Sequence, residues 1–260
     1  MTQGTTRRAL VTGGSRGIGL SIARALARDG LDVIVSYAHD APAAQAAVAQ
    51  ARSEGLALSC VRCDAANAAD WDALFARGGS PDLANLADQG VQVLVHAAGF
   101  TRDGLLMTQA PTDFDAVHGV HLRGAYLASR ACLRGMIGGR FGRIVYISSP
   151  TAVLGRRGQC SYGSAKAGLS GLMRSLIQEV SRFQITVNCV SAGLIDTALT
   201  GELSPEVYQS LLSGIPMGRA GQADEVAALV GFLVSSAGGY VTGQHLAVDG
   251  GLDMLASDAF

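Results

Sequence analysis

Tyr162 and Lys166 stand four residues apart in the run Ser161-Tyr-Gly-Ser-Ala-Lys166, and Ser149 lies thirteen residues before the tyrosine. On a helix, positions i and i+4 share one face, a turn apart. A free phenol has a pKa of roughly 10, and an ammonium beside it favours the phenolate, so this pairing could bring Tyr162 toward the range where it exchanges protons near neutral pH. Ser149 could hydrogen-bond a carbonyl or hydroxyl oxygen while Tyr162 gives or takes the proton. By itself Tyr-x-x-x-Lys is a common pattern, read equally well as a surface Tyr and Lys at a helix start.

The elements around these residues give them positions. Arg143 to Ile147 reads as an apolar strand with Ser149 near its carboxyl end, followed by a Pro/Gly/Arg loop and a long amphipathic helix from about Ser161 to Arg182. At the other end of the chain a strand, Arg8 to Thr12, runs into Thr12-Gly-Gly-Ser-Arg-Gly-Ile-Gly19 and a helix through Ala27. Gly13, Gly17 and Gly19 are spaced for a tight turn, close approach of backbone to a phosphate, and close helix packing, with the helix N-terminus aimed at a pyrophosphate. Further strands are read at Asp32–Tyr37, Ala57–Cys63, Val91–Val95 and Gln184–Val190, and helices at Ala41–Arg52 and Asp113–Met136.

The spacing Gly-x-x-x-Gly-x-Gly together with Ser149, Tyr162 and Lys166 resembles the short-chain dehydrogenase/reductase family, and within it the bacterial 3-oxoacyl-(acyl-carrier-protein) reductases. The C-terminal runs Gly218-Arg-Ala-Gly221, Asp224-Glu-Val226 and Val248-Asp-Gly-Gly-Leu252 are similar to that family's ending. The resemblance implies an α/β chain, residues 1–260 forming a single Rossmann-type domain. Its doubly wound parallel sheet would have about seven strands with helices on both faces, and a lid would lie over the substrate at about 194–217. It implies reduction of a 3-oxoacyl thioester, carried on an acyl carrier protein, by NADPH. Ser149, Tyr162 and Lys166 would be catalytic, with His121 standing where relatives carry an asparagine that positions a relay water; an imidazole there could pass protons near neutral pH.

Cofactor contacts implied by the same resemblance are Gly13, Ser15, Arg16, Gly17, Ile18 and Gly19 in the first turn, and Tyr37 at the second strand's end. Asp64 would meet the adenine or else cap a helix. Ala98 and Gly99 follow the fourth strand, and Gly193, Ile195 and Thr197 lie along the nicotinamide. No acidic residue stands at Ser36-Tyr37-Ala38-His39, and Arg16 could meet a 2′-phosphate with Ser36 and His39 as helpers, so NADPH is favoured over NADH. The alternative is a solvated Arg16 with Asp40 turned inward. For the carrier, the resemblance points to Gln159, Arg140 and Arg182, with Arg156 and Arg157 as additions; each arginine is equally read as a solvated side chain. This sequence departs from the family's pattern at His96-Ala-Ala-Gly99, where His96 is expected to be structural, and at Ala192, which replaces a proline.

Composition narrows the classes. Hydrophobic residues make up 48% of 260, charged residues 16%, and there are 34 glycines, which fits a sheet buried on both faces. A net charge of −1 gives no electrostatic case for nucleic acid or an anionic membrane. No apolar run approaches the roughly 20 residues of a membrane helix, so a cytoplasmic protein is expected. The five scattered cysteines are expected to be reduced; Cys60-Val-Arg-Cys63 lies along a strand with no second pair, and no metal site is expected. Relatives assemble through their long helices and C-terminal strand, so the resemblance implies a homotetramer, with a dimer as the alternative. Two other functions stay open: a dehydrogenase of another alcohol, sugar or cyclic ketone, and a cofactor-binding scaffold without catalysis. The irregular stretch from Arg77 to Gly90 has no functional reading.

Overall fold

The computed structural model describes residues 6–76, 86, 90–201 and 204–253. Most of the irregular stretch from Arg77 to Gly90, and residues 202–203 of the expected lid, lie outside them.

Seven strands form one parallel sheet in the order β3-β2-β1-β4-β5-β6-β9. They are β1 (Arg8–Thr12), β2 (Asp32–Tyr37), β3 (Leu58–Arg62), β4 (Val93–His96), β5 (Gly142–Ser148), β6 (Ile185–Ala192) and β9 (His245–Val248). Short β7 (Ile195–Asp196) and β8 (Gly221–Gln222) pair separately. The doubly wound sheet of about seven strands expected from the sequence is the one observed.

Strand periodicity of two sends alternate residues to opposite faces, and both faces are apolar. Ala9, Val11, Val33, Val35, Val93, Val95, Val145 and Ile147 belong to one core. That core is covered by α1 (Gly17–Arg28), α2 (Ala41–Ser53) and α10 (Ala223–Val234). Leu10, Ile34, Leu94, Ile144, Tyr146, Val187 and Cys189 belong to the other. Its cover comes from α3 (Ala68–Leu74), α5 (Gly124–Gly139) and α7 (Cys160–Val180).

The single long helix read over Asp113–Met136 is broken in two. α4 (Pro111–His118) passes into a π-helical turn, Gly119–Arg123, and then into α5. A π turn inserts one residue into the helical ladder, and hydropathy periodicity carries little sign of so local a change. Three further short helices lie near the sheet's C-terminal edge: α6 (Thr151–Leu154), α8 (Ala198–Gly201) and α9 (Pro205–Ser213). α9 buries none of its residues, as a surface lid would. No helix among the described residues is long and apolar enough to cross a membrane.

The chain leaves β1 toward β2 and β3 on one side and later enters β4 on the other, so β1 and β4 flank the switch point, where parallel α/β sheets open a crevice at the strands' carboxyl ends. Thr12, His96, Ser149 and Gly193 all stand at that edge. α7 is held there by its apolar face, in which Leu169 is fully buried one turn past Lys166. Leu169→Ala should lower unfolding free energy by about 2–5 kcal/mol, read from urea denaturation, because the packed site cannot collapse around the lost atoms.

Candidate active site

The carboxyl end of β5 and the first turns of α7 bring Ser149, Tyr162 and Lys166 together. Lys166 is 4% exposed and its Nζ donates to the Ile147 carbonyl at 2.7 Å. Nζ lies 5.5 Å from the centre of the Tyr162 ring. Ser149 stands beside Tyr162 as a hydrogen-bonding neighbour of its phenol, and Ser149 Oγ accepts from the Thr151 amide at 3.3 Å.

Burial dominates the titration of both groups. It brings Lys166 down to about 8. Burial also raises Tyr162 above its ordinary value, as does the Asp103 charge, while the Ser149 bond acts the other way. The lowered phenol pKa expected from the lysine is therefore not found in the protein alone. The phenol is neutral near pH 7, the form that can donate a proton to a substrate oxygen.

His121 lies in the π turn, 1% exposed, its ring edge-on to Tyr162 with centroids 5.2 Å apart. Its Nε2 lies 2.8 Å from the Phe100 carbonyl and 3.2 Å from the Phe100 amide nitrogen, donating to the one or accepting from the other according to its tautomer, and Nδ1 is buried without a partner. The ring fills the space beside Gly99, where an added Cβ would sit 2.1 Å from Cε1. Burial and the Lys166 charge push the imidazole well below its ordinary pKa. The expectation that His121 relays protons as an ionisable group near neutral pH is thus corrected: it stays neutral, and it packs against the tyrosine.

His96 is structural, as expected. Its Nε2 donates to the Val120 carbonyl at 3.1 Å, so Nδ1 accepts from the Thr12 hydroxyl at 2.9 Å. Thr12 Oγ1 in turn accepts the amides of Ala97 and Ala98 at 3.2 and 3.1 Å. This network ties β1 to β4 and shapes the Ala97-Ala98-Gly99 turn. Desolvation lowers His96 to about 3.

The glycine turn fits a dinucleotide. Gly13 and Gly17 have φ of +65° and +54°. A Cβ on Gly13 would meet the Ala98 backbone at 2.7 Å, and one on Gly19 would meet the Gly13 carbonyl at 2.4 Å. A Cβ on Gly17 would meet only Thr197, at 3.7 Å, so the turn and the Thr197 segment face each other across a narrow gap. α1 has no side-chain cap and no acidic residue in its first turn, which leaves its positive end to an anion. Ser15 and Ile18 flank that end, half-buried, and Arg16 is exposed beside it.

Across the groove, Gly193 donates to Val248 at 3.0 Å, so β9 supports the turn despite Ala192. Ile195 is buried. The Thr197 amide donates to Thr200 Oγ1 at 2.9 Å, a closure that the Thr-x-x-Thr spacing would have signalled. Tyr37 is half-buried at the end of β2. Asp64 Oδ1 accepts from Ala66 at 2.9 Å at the end of β3, while Asn67, not Asp64, caps α3. Asp40 caps α2 through Ala43 at 3.0 Å, so its carboxylate is engaged away from Tyr37 and does not turn inward.

The three carrier candidates part company. Gln159 is 7% exposed and both ends of its amide are engaged within the protein, Nε2 donating to Asp103 at 3.0 and 3.2 Å and Oε1 accepting from Thr151 at 3.3 Å. Arg140 caps the end of α5 just before β5, and its NH2 donates to the Arg182 carbonyl at 3.2 Å. Both arginines therefore stand at the amino edge of the sheet, a strand's length from Ser149, and within one chain they do not rim the site. Arg156 and Arg157, exposed between α6 and α7, lie on the site's own edge. Asp103 and Thr151 escaped the sequence reading because neither belongs to a spaced motif. Among the described residues no group of three potential metal ligands forms, and Cys60 and Cys63 are free.

Comparisons with known proteins show what the whole chain is similar to. A family model described as enoyl-(acyl carrier protein) reductase matches residues 13–253. The chain is 39% identical to a 3-oxoacyl-(acyl-carrier-protein) reductase of Synechocystis sp., over 98% of this chain and 100% of the relative. It is 40% identical to the Pseudomonas aeruginosa protein of the same description, over 95% and 97%, and 38% identical to an acetoacetyl-CoA reductase of Allochromatium vinosum, over 95% and 99%. A crystal structure of a putative gluconate dehydrogenase from Agrobacterium tumefaciens matches with a TM-score of 0.88 and 29% identity, covering 95% of this chain and 96% of that one.

The buried histidines make stability fall with acid. The folded pKa of each is below the unfolded value of about 6.5, so the stabilisation is complete above that pH and is lost as pH falls toward about 3 for His96. Each should contribute about 1.4 kcal/mol of loss per pH unit in that window. Urea unfolding across the acid range should show a shallower decline for His96→Asn than for the unsubstituted protein.

Proposed function

The chain belongs to the short-chain dehydrogenase/reductase family, and from that membership we propose that it reduces the ketone of a 3-oxoacyl thioester to the 3-hydroxyacyl product. The observation that carries the reading is a neutral phenol, beside Ser149 and one turn from a buried ammonium, at the carboxyl edge of a sheet whose first turn fits a dinucleotide. Relatives named as 3-oxoacyl-carrier and acetoacetyl-CoA reductases supply the thioester. A serine hydroxyl and a phenol side by side suit a carbonyl oxygen, which needs one hydrogen bond to hold it and one proton to complete the alcohol.

A nicotinamide cofactor supplies the hydride to the carbonyl carbon when bound. Gly13, Ser15, Gly17, Ile18 and Gly19 would hold its pyrophosphate, Tyr37, Asp64, Ala98 and Gly99 its adenosine side, and Gly193, Ile195 and Thr197 its nicotinamide end. Ser149 donates to the substrate oxygen, and its bond strengthens as charge grows there. Tyr162 then gives its proton to that oxygen, and the Lys166 ammonium offsets the phenolate left behind; the same ammonium would hold the cofactor's ribose. His121 buttresses the tyrosine ring.

The cofactor is NADPH. Arg16 stands exposed beside the turn, and Asp40 is committed to capping α2, so no carboxylate opposes a 2′-phosphate. The partner is an acyl carrier protein, met at the site's mouth by Arg156 and Arg157. Exposed Leu105, Leu106 and Met107 and, after Ser149, Val153 and Leu154 offer apolar surface for an acyl chain. Residues 1–260 form a single domain with 194–217 as its lid. It assembles as a homotetramer through α4, α5, α7 and the C-terminal strand, supported by the exposed Tyr126, Phe232 and Tyr240. The setting is the cytoplasm, in fatty-acid or polyketide assembly.

NADPH oxidation should follow addition of a 3-oxoacyl thioester, faster on a carrier protein than on a truncated pantetheine. Tyr162→Phe should lower the rate by about 10²–10⁴. A protein that reduces only carrier-free sugars or cyclic ketones would move the assignment to another dehydrogenase. Arg16→Ala should raise KM for NADPH by about tenfold or more and leave that for NADH nearly unchanged, as expected for one charge-assisted bond to phosphate.

A further inference from the structure

The loop that follows β4 is fastened to the start of α7 at three separate points. Gly104 N–H donates to the Gly158 carbonyl at 2.8 Å. Gln109 Nε2 donates to Ser161 Oγ at 2.9 Å and is also bonded to the Arg102 carbonyl. The third point is the pair already described, in which both oxygens of the Asp103 carboxylate accept from the buried Gln159 Nε2, at 3.2 and 3.0 Å.

From Gln159 the bonds continue inward. Its Oε1 accepts from Thr151 Oγ1 at 3.3 Å, the Thr151 amide donates to Ser149 Oγ at 3.3 Å, and Ser149 stands beside the Tyr162 phenol. A hydrogen-bonded path therefore runs from an exposed carboxylate, through a buried amide, to Ser149, with Tyr162 beside it. Gln159 sits three residues before Tyr162, so whatever fixes its side chain also fixes the turn that presents the phenol.

We propose that Asp103 is a positioning residue for the reaction, acting through Gln159 and Thr151 to hold Ser149 and Tyr162 in register. This deepens the ketoreductase reading and rests on it. It also assigns Gln159 a different task from substrate contact, since both ends of its amide are used by the protein. The charged and titratable groups facing the phenol are Lys166 from its own helix, His121 from the π turn, and Asp103 from the loop; Ser149 faces it from β5. Lys166 places its ammonium 5.5 Å from the centre of the phenol ring, neutral His121 adds no charge, and Asp103 opposes the phenolate.

Two variants separate geometry from charge. Asp103→Asn keeps an acceptor for Gln159 and removes the charge; Asp103→Ala removes both. With acetoacetyl-pantetheine and NADPH, Asp103→Ala should lose about tenfold in kcat with KM changed by less than about twofold, as misplacement of reacting groups does. Asp103→Asn should restore kcat to within about twofold and move the basic limb of its pH profile to lower pH, because the phenol loses the carboxylate that opposes its ionisation. The Tyr162 titration can be read without any substrate, from ultraviolet absorbance of the phenolate as the difference from Tyr162→Phe, and it should move to lower pH in Asp103→Asn.

Thermal unfolding of each variant checks that the fold persists. If Asp103→Ala keeps the unsubstituted kcat and phenol titration, or if Asp103→Asn is as slow as Asp103→Ala, the positioning role is overturned. If the unsubstituted protein reduces no thioester, the ketoreductase reading fails by itself, and the phenol titration still decides whether Asp103 governs Tyr162.

Discussion

A buried ammonium is the constraint on which the site depends. Lys166 is almost wholly withdrawn from water, and a charge so placed is costly unless fixed dipoles replace its hydration. The Ile147 carbonyl, at 2.7 Å, is the contact in the structure that does so, and it belongs to β5, the strand that leads directly into Ser149. One bond thus couples helix to strand at the position where the chemistry needs them coupled. The cost of burying the charge also appears in the lowered lysine pKa, and the same withdrawal from water keeps Tyr162 protonated. Desolvation of the pair therefore sets the tyrosine up as an acid, and the ammonium becomes useful at the moment the phenol has given its proton away.

The two histidines show how the same backbone can be held by different side chains. At the end of β4, an imidazole with both nitrogens engaged joins Val120 to Thr12, and Thr12 gathers the amides of the following turn. In the π turn, a second imidazole occupies the volume left by Gly99 and meets Tyr162 edge-on. Both rings are neutral because they are buried, and so both serve through shape and hydrogen bonding. An aromatic edge against the tyrosine restricts its rotation, and a ring so confined presents its hydroxyl in fewer directions.

The fold was legible because its signals are collective. Continuous apolar runs in β1, β4 and β5, the glycine turn, and alternation of strand and helix patterns all point to one doubly wound sheet, and no single substitution could hide them. Ser149, Tyr162 and Lys166 were legible because their spacing follows from helical geometry. What escaped was of another kind. The π turn inserts one residue into a ladder, and an amphipathic pattern tolerates that shift. The ionisation of Tyr162 and His121 depends on how completely neighbours exclude water, which no spacing records. Arg140 and Arg182 were placed by likeness of position, but strand direction decides which edge of the sheet a residue joins, and both precede their strands.

The path from Asp103 to Tyr162 follows a gradient of exposure, and the gradient gives it physical meaning. At its outer end the carboxylate is solvated, so its charge acts weakly through water and its hold on Gln159 is exchangeable. At its inner end Gln159 and Ser149 are buried, where an unpaired amide or hydroxyl would cost about 1–3 kcal/mol. The inner bonds are therefore kept and the outer one is the adjustable member. The loop that carries it also carries Leu105, Leu106 and Met107 into solvent. An apolar chain lying on those residues would exclude water from the Asp103 carboxylate and strengthen its bond to Gln159, tightening the tyrosine's seat as substrate arrives. Substrate binding and proton donation would then be coupled by the hydration of a single carboxylate at the rim, with no movement of the sheet beneath.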